Sequence, residues 1–150
     1  MNARIGLFAL FALLLGFTTQ RAAAQESTKV EVILVMASNS GKGVDSSLKP
    51  YAGNLQRIFN FNSFQQRDRK TLNISIPGGT STNLYGGTRL RIGLQAIKDG
   101  RLPADIDWSR GRDRLLKTLV RLNPGTPAIV GGPQAEDNTG SYLLIINWKK

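Results

Sequence analysis

The sequence predicts a mostly β fold of the α+β class: an antiparallel β-sandwich or partly open barrel with one N-terminal helix. Three observations lead there. From residue 61 to residue 148, short runs of alternating polarity recur, with turn residues between them. A single stretch, about Ser46 to Phe59, repeats its apolar residues at spacings of three and four. Two of the alternating runs also fit each other as a hairpin in one register.

The elements follow in order. Val30, Val32, Leu34 and Met36 interleave with Glu31, Ile33 and Val35, so both faces are mostly apolar, the pattern of a buried central strand. The segment Ser38-Asn39-Ser40-Gly41-Lys42-Gly43 breaks it. Asp45 or Ser47 then offers an N-cap, and Pro50 fits only near a helix start. Leu48, Tyr51, Leu55, Ile58 and Phe59 complete an amphipathic helix. Short strands are expected at Phe61 to Gln66 and Thr71 to Ile76, with Pro77-Gly78-Gly79 as a turn. Further strands are expected at Leu84 to Ile97, Leu102 to Trp108, Leu115 to Leu122, Ala128 to Val130 and Tyr142 to Trp148. Turns fall at Asp99-Gly100, Arg110-Gly111, Pro124-Gly125 and Asn138-Thr139-Gly140.

The hairpin can be set residue by residue. Leu90, Ile92, Leu94 and Ala96 form one apolar face, and Leu102, Ala104, Ile106 and Trp108 form another. They meet only if Leu90 faces Trp108 and Ile92 faces Ile106, which leaves a three-residue loop, Lys98-Asp99-Gly100, with Gly100 in the left-handed position. The same register sets Arg91 opposite Asp107 on the polar face and sends Trp108 into the core.

The first residues read as an export signal. Arg4 supplies a positive start, Ile5 to Phe17 an uncharged apolar run, and Ala22-Ala23-Ala24 the small residues of a cleavage site. The run is shorter than the roughly 20 residues of a membrane span. Residues 1–24 are therefore expected to be a cleaved signal peptide, with no transmembrane anchor left after cleavage, and residues 25–150 a single exported β-rich domain, periplasmic or secreted. Without a cysteine the signal is not of the lipoprotein kind, and no disulfide staples the domain. No repeat, low-complexity tract or linker points to a second domain.

Composition narrows the chemistry. The chain has no His and no Cys, which removes Ser-His-Asp and Cys-His nucleophiles, the usual zinc sites and His-ligated haem. No cofactor, no metal and no enzymatic activity are expected. Losing Arg4 and Arg21 with the signal lowers the net charge from +10 to about +8. That excess favours anionic partners such as anionic lipid, lipopolysaccharide or acidic polysaccharide, or else serves solubility. Nucleic acid is not expected, since no aromatic residues interleave the basic clusters.

Those clusters are the candidate binding residues: Arg67, Arg69 and Lys70 in one expected turn, Arg110, Arg112 and Arg114 in another. Other groupings read as structure. Asp105 and Asp107 share a strand face as paired carboxylates could, but Arg91 stands across from Asp107. The Ser38 to Gly43 segment sits where a phosphate-binding loop would, but lacks its first Gly and its magnesium-binding hydroxyl; an anion at the following helix N-terminus stays open. Tyr51, Phe59, Phe61 and Phe64 fall at core spacing. Asn73-Ile74-Ser75 matches a glycosylation acceptor.

The combination VEVILVMASNSGKGVDSSLKPYAGNLQRIF, a β-rich body, LNPGTPAIVGGP and a terminal YLLIINW resembles small exported proteins of planctomycete and verrucomicrobial bacteria, a group without an assigned activity. Asn123 to Gly132 is similar to the turn-strand-GG segment of secretin outer-membrane proteins, which are longer and multidomain. Neither resemblance implies a catalytic residue. The expected function is a non-enzymatic binding or interaction module of the cell envelope for anionic ligands. The alternatives are an accessory component of an envelope secretion or pilus assembly, and a carboxylate-dependent hydrolase.

Overall fold

The computed structural model describes residues 25–150; the expected signal peptide lies outside the described residues. The first strand, β1 (Glu26–Ser38), fulfils its pattern on both faces. Val30, Val32 and Leu34 enter one core, while Ile33, Val35 and Ala37 enter a second on the other side. Alternation in a strand allows this only where both faces are covered.

β1 pairs antiparallel with β3 (Ser63–Ile76) on one side and β9 (Gly140–Lys149) on the other. A two-residue strand, β2 (Gly43–Val44), adds parallel to the start of β3, and β8 (Ala128–Gln134) closes the far edge beside β9. The order of this first sheet is β2-β3-β1-β9-β8. The second sheet runs β4-β5-β6-β7 in sequence order, from β4 (Gly78–Leu84), β5 (Thr88–Leu94), β6 (Leu102–Arg110) and β7 (Asp113–Leu122). Neither sheet closes into a barrel. The two pack as a sandwich around Leu34, Ile74, Leu90, Ile92, Ile106, Trp108, Leu144 and Ile146.

The second core lies on the outer face of the first sheet. A 3-10 turn (Ser46–Tyr51) and a short helix, α1 (Ala52–Ile58), lay Leu48, Tyr51 and Leu55 against Ile33, Val35, Phe64, Leu143 and Ile145. The layers are therefore helix, five-stranded sheet, four-stranded sheet. The expected single helix is divided in two: Pro50 stands inside the 3-10 segment, and regular α-helix begins two residues later, where its missing N–H no longer matters. Phe59 and Phe61 pack on this core as expected.

The hairpin register is as read from the sequence: Leu90 faces Trp108, Arg91 faces Asp107, Ile92 faces Ile106, and Trp108 is fully buried. Gly100 has a positive φ of 71°. The turn differs. Asp99 also has positive φ, and Lys98 and Arg101 exchange both backbone hydrogen bonds across a two-residue turn, so the expected three-residue loop is corrected to Asp99-Gly100. β5 ends at Leu94; Gln95 N–H still donates to Pro103 O at 3.0 Å, and Ala96 and Ile97 absorb the change.

Three strand boundaries differ from expectation. Arg67-Asp68-Arg69-Lys70 is not a turn but the middle of the continuous strand β3, which merges two expected strands. Pro77-Gly78-Gly79 is a corner leading straight into β4. The expected strand from Leu84 divides: Leu84 ends β4, and Tyr85-Gly86-Gly87 turns into β5.

Candidate functional site

Alternation in the second sheet sends its apolar side chains inward and leaves a charged outer face. β5 reads Thr-Arg-Leu-Arg-Ile-Gly-Leu, so burying Leu90, Ile92 and Leu94 exposes Arg89 and Arg91. β6 buries Ala104, Ile106 and Trp108 and turns Asp105, Asp107 and Ser109 outward. In β7, Lys117 stands opposite Asp107, and a register shift between Trp108 and Ser109 then brings Arg114 opposite Ser109.

Cross-strand rows result. One runs Asn83, Arg89, Ser109, Arg114; the next runs Ser81, Arg91, Asp107, Lys117. Arg112 joins them from the β6–β7 turn, whose Gly111 has a φ of 58°. The result is an open groove of about 560 Å³ lined by Arg89, Arg91, Arg112 and Arg114 with Asp107, Ser109 and Gly111. Arg114 holds Asp107 in a fork: Nε donates to Oδ1 at 3.3 Å, and Nη2 lies 3.3 Å from Oδ2. Arg89 Nη2 donates to Ser81 Oγ at 2.9 Å. One carboxylate thus stands among four guanidiniums, and the surplus of positive charge faces solvent. Farther along the same face, Lys98, Arg101 and Arg121 line a second hollow of about 600 Å³ beside the half-exposed Leu119.

The six residues expected to bind do not form one patch. Arg112 and Arg114 belong to the groove. Arg110 turns to the β8–β9 turn, where its Nη1 lies 2.8 Å from Glu136 Oε1. Arg67 lies with its guanidinium carbon 5.9 Å from the centre of the Tyr85 ring and contributes to the lowered pKa of Asp137, which falls mainly because the Thr139 hydroxyl and backbone N–H donate to it. Lys70 pairs with Asp68 at 3.7 Å. Arg69 projects from the opposite layer, beside Ile33, and donates through Nη2 to Ser47 O at 3.1 Å. Sequence reading missed Arg89 and Arg91, although their alternation with buried Leu90 and Ile92 was the available signal.

The remaining groupings take structural places. Asp107 is held by Arg114, and Asp105 accepts from Gln95 Nε2 at 2.9 Å, so the two carboxylates have separate partners. Among the described residues no three His, Cys, Asp or Glu gather as metal ligands would. In the Ser38 to Gly43 loop, the Gly43 N–H already donates to Asn62 O. The helix start left open for an anion is occupied by the protein's own carboxylate. Asp45 Oδ1 accepts from Ser47 N at 3.0 Å and Ser47 Oγ at 2.8 Å, while Oδ2 accepts from Gln66 N at 3.3 Å. These bonds, the Ser47 backbone N–H foremost, hold the Asp45 carboxyl below the usual carboxylate range.

No protein-family model matches the chain, and no curated protein and no solved structure matches it either.

Proposed function

We propose that this domain is an exported, non-enzymatic binding module that holds an anionic polymer of the cell exterior along the outer face of its four-stranded sheet. The observation behind it is the groove in which Arg89, Arg91, Arg112 and Arg114 surround the single carboxylate of Asp107. Guanidiniums offer paired donors that match carboxylate, phosphate or sulfate oxygens. Cations concentrated on one face raise the local concentration of a polyanion through long-range attraction. The groove is open and crosses β5, β6 and β7, which suits a chain molecule lying across strands. A sequence without His or Cys supports binding over catalysis.

The test separates this face from charge in general. Arg89, Arg91, Arg112 and Arg114 are replaced by Ser in one variant; Lys29, Lys42, Lys49 and Arg57, exposed elsewhere, are replaced by Ser in another of equal charge. Retention on immobilised heparin and on lipopolysaccharide is measured across a salt series. The groove variant is expected to elute at clearly lower salt than its charge-matched control. Equal elution of the two would leave only net charge, and retention of neither variant nor parent would remove the reading.

A further inference from the structure

On the layer opposite the arginine groove, the five-stranded sheet extends past its helix and forms another polar hollow, open to solvent like the groove. Its floor comes from the register of the two central strands, where Glu31 of β1 faces Asn147 of β9. Cross-strand partners share a face with their Cβ atoms about 4.5–5.5 Å apart, so the two side chains stand together. Tyr51, at the end of the 3-10 turn, closes one side and donates its hydroxyl to Glu31 Oε1 at 3.2 Å. Lys149 Nζ reaches the same oxygen at 3.5 Å. Arg69 enters from β3, and Gly125 and Pro127 wall the other side from the β7–β8 connection. The volume of the hollow is about 400 Å³, within the roughly 300–1,000 Å³ of small-molecule sites.

Two features mark this as a site and not a chance dent. The Glu31 side chain is only 13% exposed, a costly position for a carboxylate on a protein with surface to spare. Asn147 is 7% exposed, and its Oδ1 has no partner among the described residues. Buried amide oxygens are normally satisfied. That oxygen is covered in this arrangement and meets the pocket only after the carboxamide turns about its broad terminal torsion, a movement a ligand hydroxyl would reward by supplying the missing donor.

The chemistry of the lining selects the ligand class. Glu31 and the Asn147 oxygen accept only; Arg69 and Lys149 donate only. A lone anion would meet the Glu31 carboxylate and the amide oxygen. A lone amine would meet Lys149, already on Glu31, with Arg69 beyond it. A hydroxyl both donates and accepts, and two on adjacent carbons can span an acceptor and a donor at once. Pro50 and Pro127 supply apolar wall for a C–H face. We infer that this pocket binds a neutral sugar unit, with vicinal hydroxyls donating to Glu31 and Asn147 and accepting from Arg69 and Lys149. The inference does not depend on the arginine groove, which lies on the other layer.

Titration of the ¹⁵N-labelled protein with methyl glucoside, methyl mannoside, methyl galactoside and N-acetylglucosamine tests it. Ethylamine and inorganic phosphate serve as the cationic and anionic arms. At least one glycoside is expected to give saturable shifts at the Asn147 side-chain amide, Glu31 and Gly125. Glu31→Gln and Asn147→Ala are each expected to weaken that binding by about tenfold, the scale of one lost hydrogen bond to a charged or buried group, while Arg112→Ser leaves it unchanged. Melting curves confirm that the variants fold; Glu31→Gln keeps the test valid if Asn147→Ala does not. Absence of glycoside shifts, shifts with ethylamine or phosphate alone, or undiminished binding by folded Glu31→Gln would overturn the inference.

Discussion

Single residues show where this fold tolerates nothing and where it has room. A Cβ added at Gly132 would collide with the Trp108 ring and come within 2.8 Å of Tyr142 O. Trp108 and Tyr142 already meet edge to face, with ring centres 6.4 Å apart, so neither can step aside. Gly132→Ala is therefore expected to destabilise the domain by about 1–3 kcal/mol, the cost of overpacking. Gly53, in α1 with open space around it, gives the opposite sign: Gly53→Ala is expected to gain about 0.4–1 kcal/mol by restricting the unfolded chain. Urea unfolding of the two variants checks both. Asp45 provides a pH signature. Its folded pKa is lowered by the Ser47 hydrogen bonds, so its contribution is complete above the unfolded value of about 3.9 and fades as pH drops towards the folded one. Asp45→Ala is expected to melt lower than the parent at pH 7, with the gap closing in strong acid. A gap unchanged between pH 7 and pH 2 would show that the carboxylate is not what caps the 3-10 turn.

Elements were legible where pattern and turn chemistry agreed, and opaque where an edge disguised a strand. The β5–β6 hairpin could be set to the residue because Leu90, Ile92, Ile106 and Trp108 fix both register and face. β3 read as two strands around a charged turn because Arg67-Asp68-Arg69-Lys70 interrupts its apolar rhythm. Past Phe64, β2 no longer covers β3, so this stretch is a sheet edge. Charges are what an edge needs to refuse another chain. Arg67 adds a bulge: Leu34 faces Asp68 and Val35 faces Gln66, leaving Arg67 unmatched. β4 escaped notice for a related reason: as the opposite sheet's edge it needs only Leu84 fully buried. A double variant, Arg67→Thr with Lys70→Thr, is expected to keep its stability within about 1 kcal/mol, since these charges are exposed or weakly paired. It is also expected to self-associate, visible as growing light scattering at millimolar salt and above. A variant as monodisperse as the parent would mean the edge is guarded by the bulge alone. The arginine groove was half hidden, for a different reason. Its arginines come from β5, the β6–β7 turn and β7, so charge density along the chain pointed to Arg112 and Arg114 but also to Arg67 to Lys70, while Arg89 and Arg91 are brought in only by pairing across strands.

At the scale of the molecule, the three layers give each side a distinct character: the arginine groove on the four-stranded sheet, the Glu31 pocket beside the helix on the five-stranded one. A polymer carrying both acidic groups and neutral sugar units could engage both, and retention of the parent on such a polymer is expected to fall with salt only in part. The groove contribution is screened over about 8 Å at physiological ionic strength, whereas the proposed hydrogen bonds to uncharged hydroxyls in the pocket involve no net charge on the ligand and so depend little on salt. Loss of all retention by moderate salt would assign the binding to the groove alone. The centre of the fold has a further consequence. β1 is flanked by β9, whose Trp148 donates its indole N–H to Thr28 at 2.8 Å across 120 residues of chain. Neither core can close before that last strand is in place, because β9 supplies Leu144 and Ile146 to one and Leu143 and Ile145 to the other. A ladder built between such distant segments forms slowly, on the millisecond-to-second scale of high-contact-order β proteins. A chain that emerges from its N-terminus thus stays open and threadable until the ten residues of β9 have followed, and only then locks.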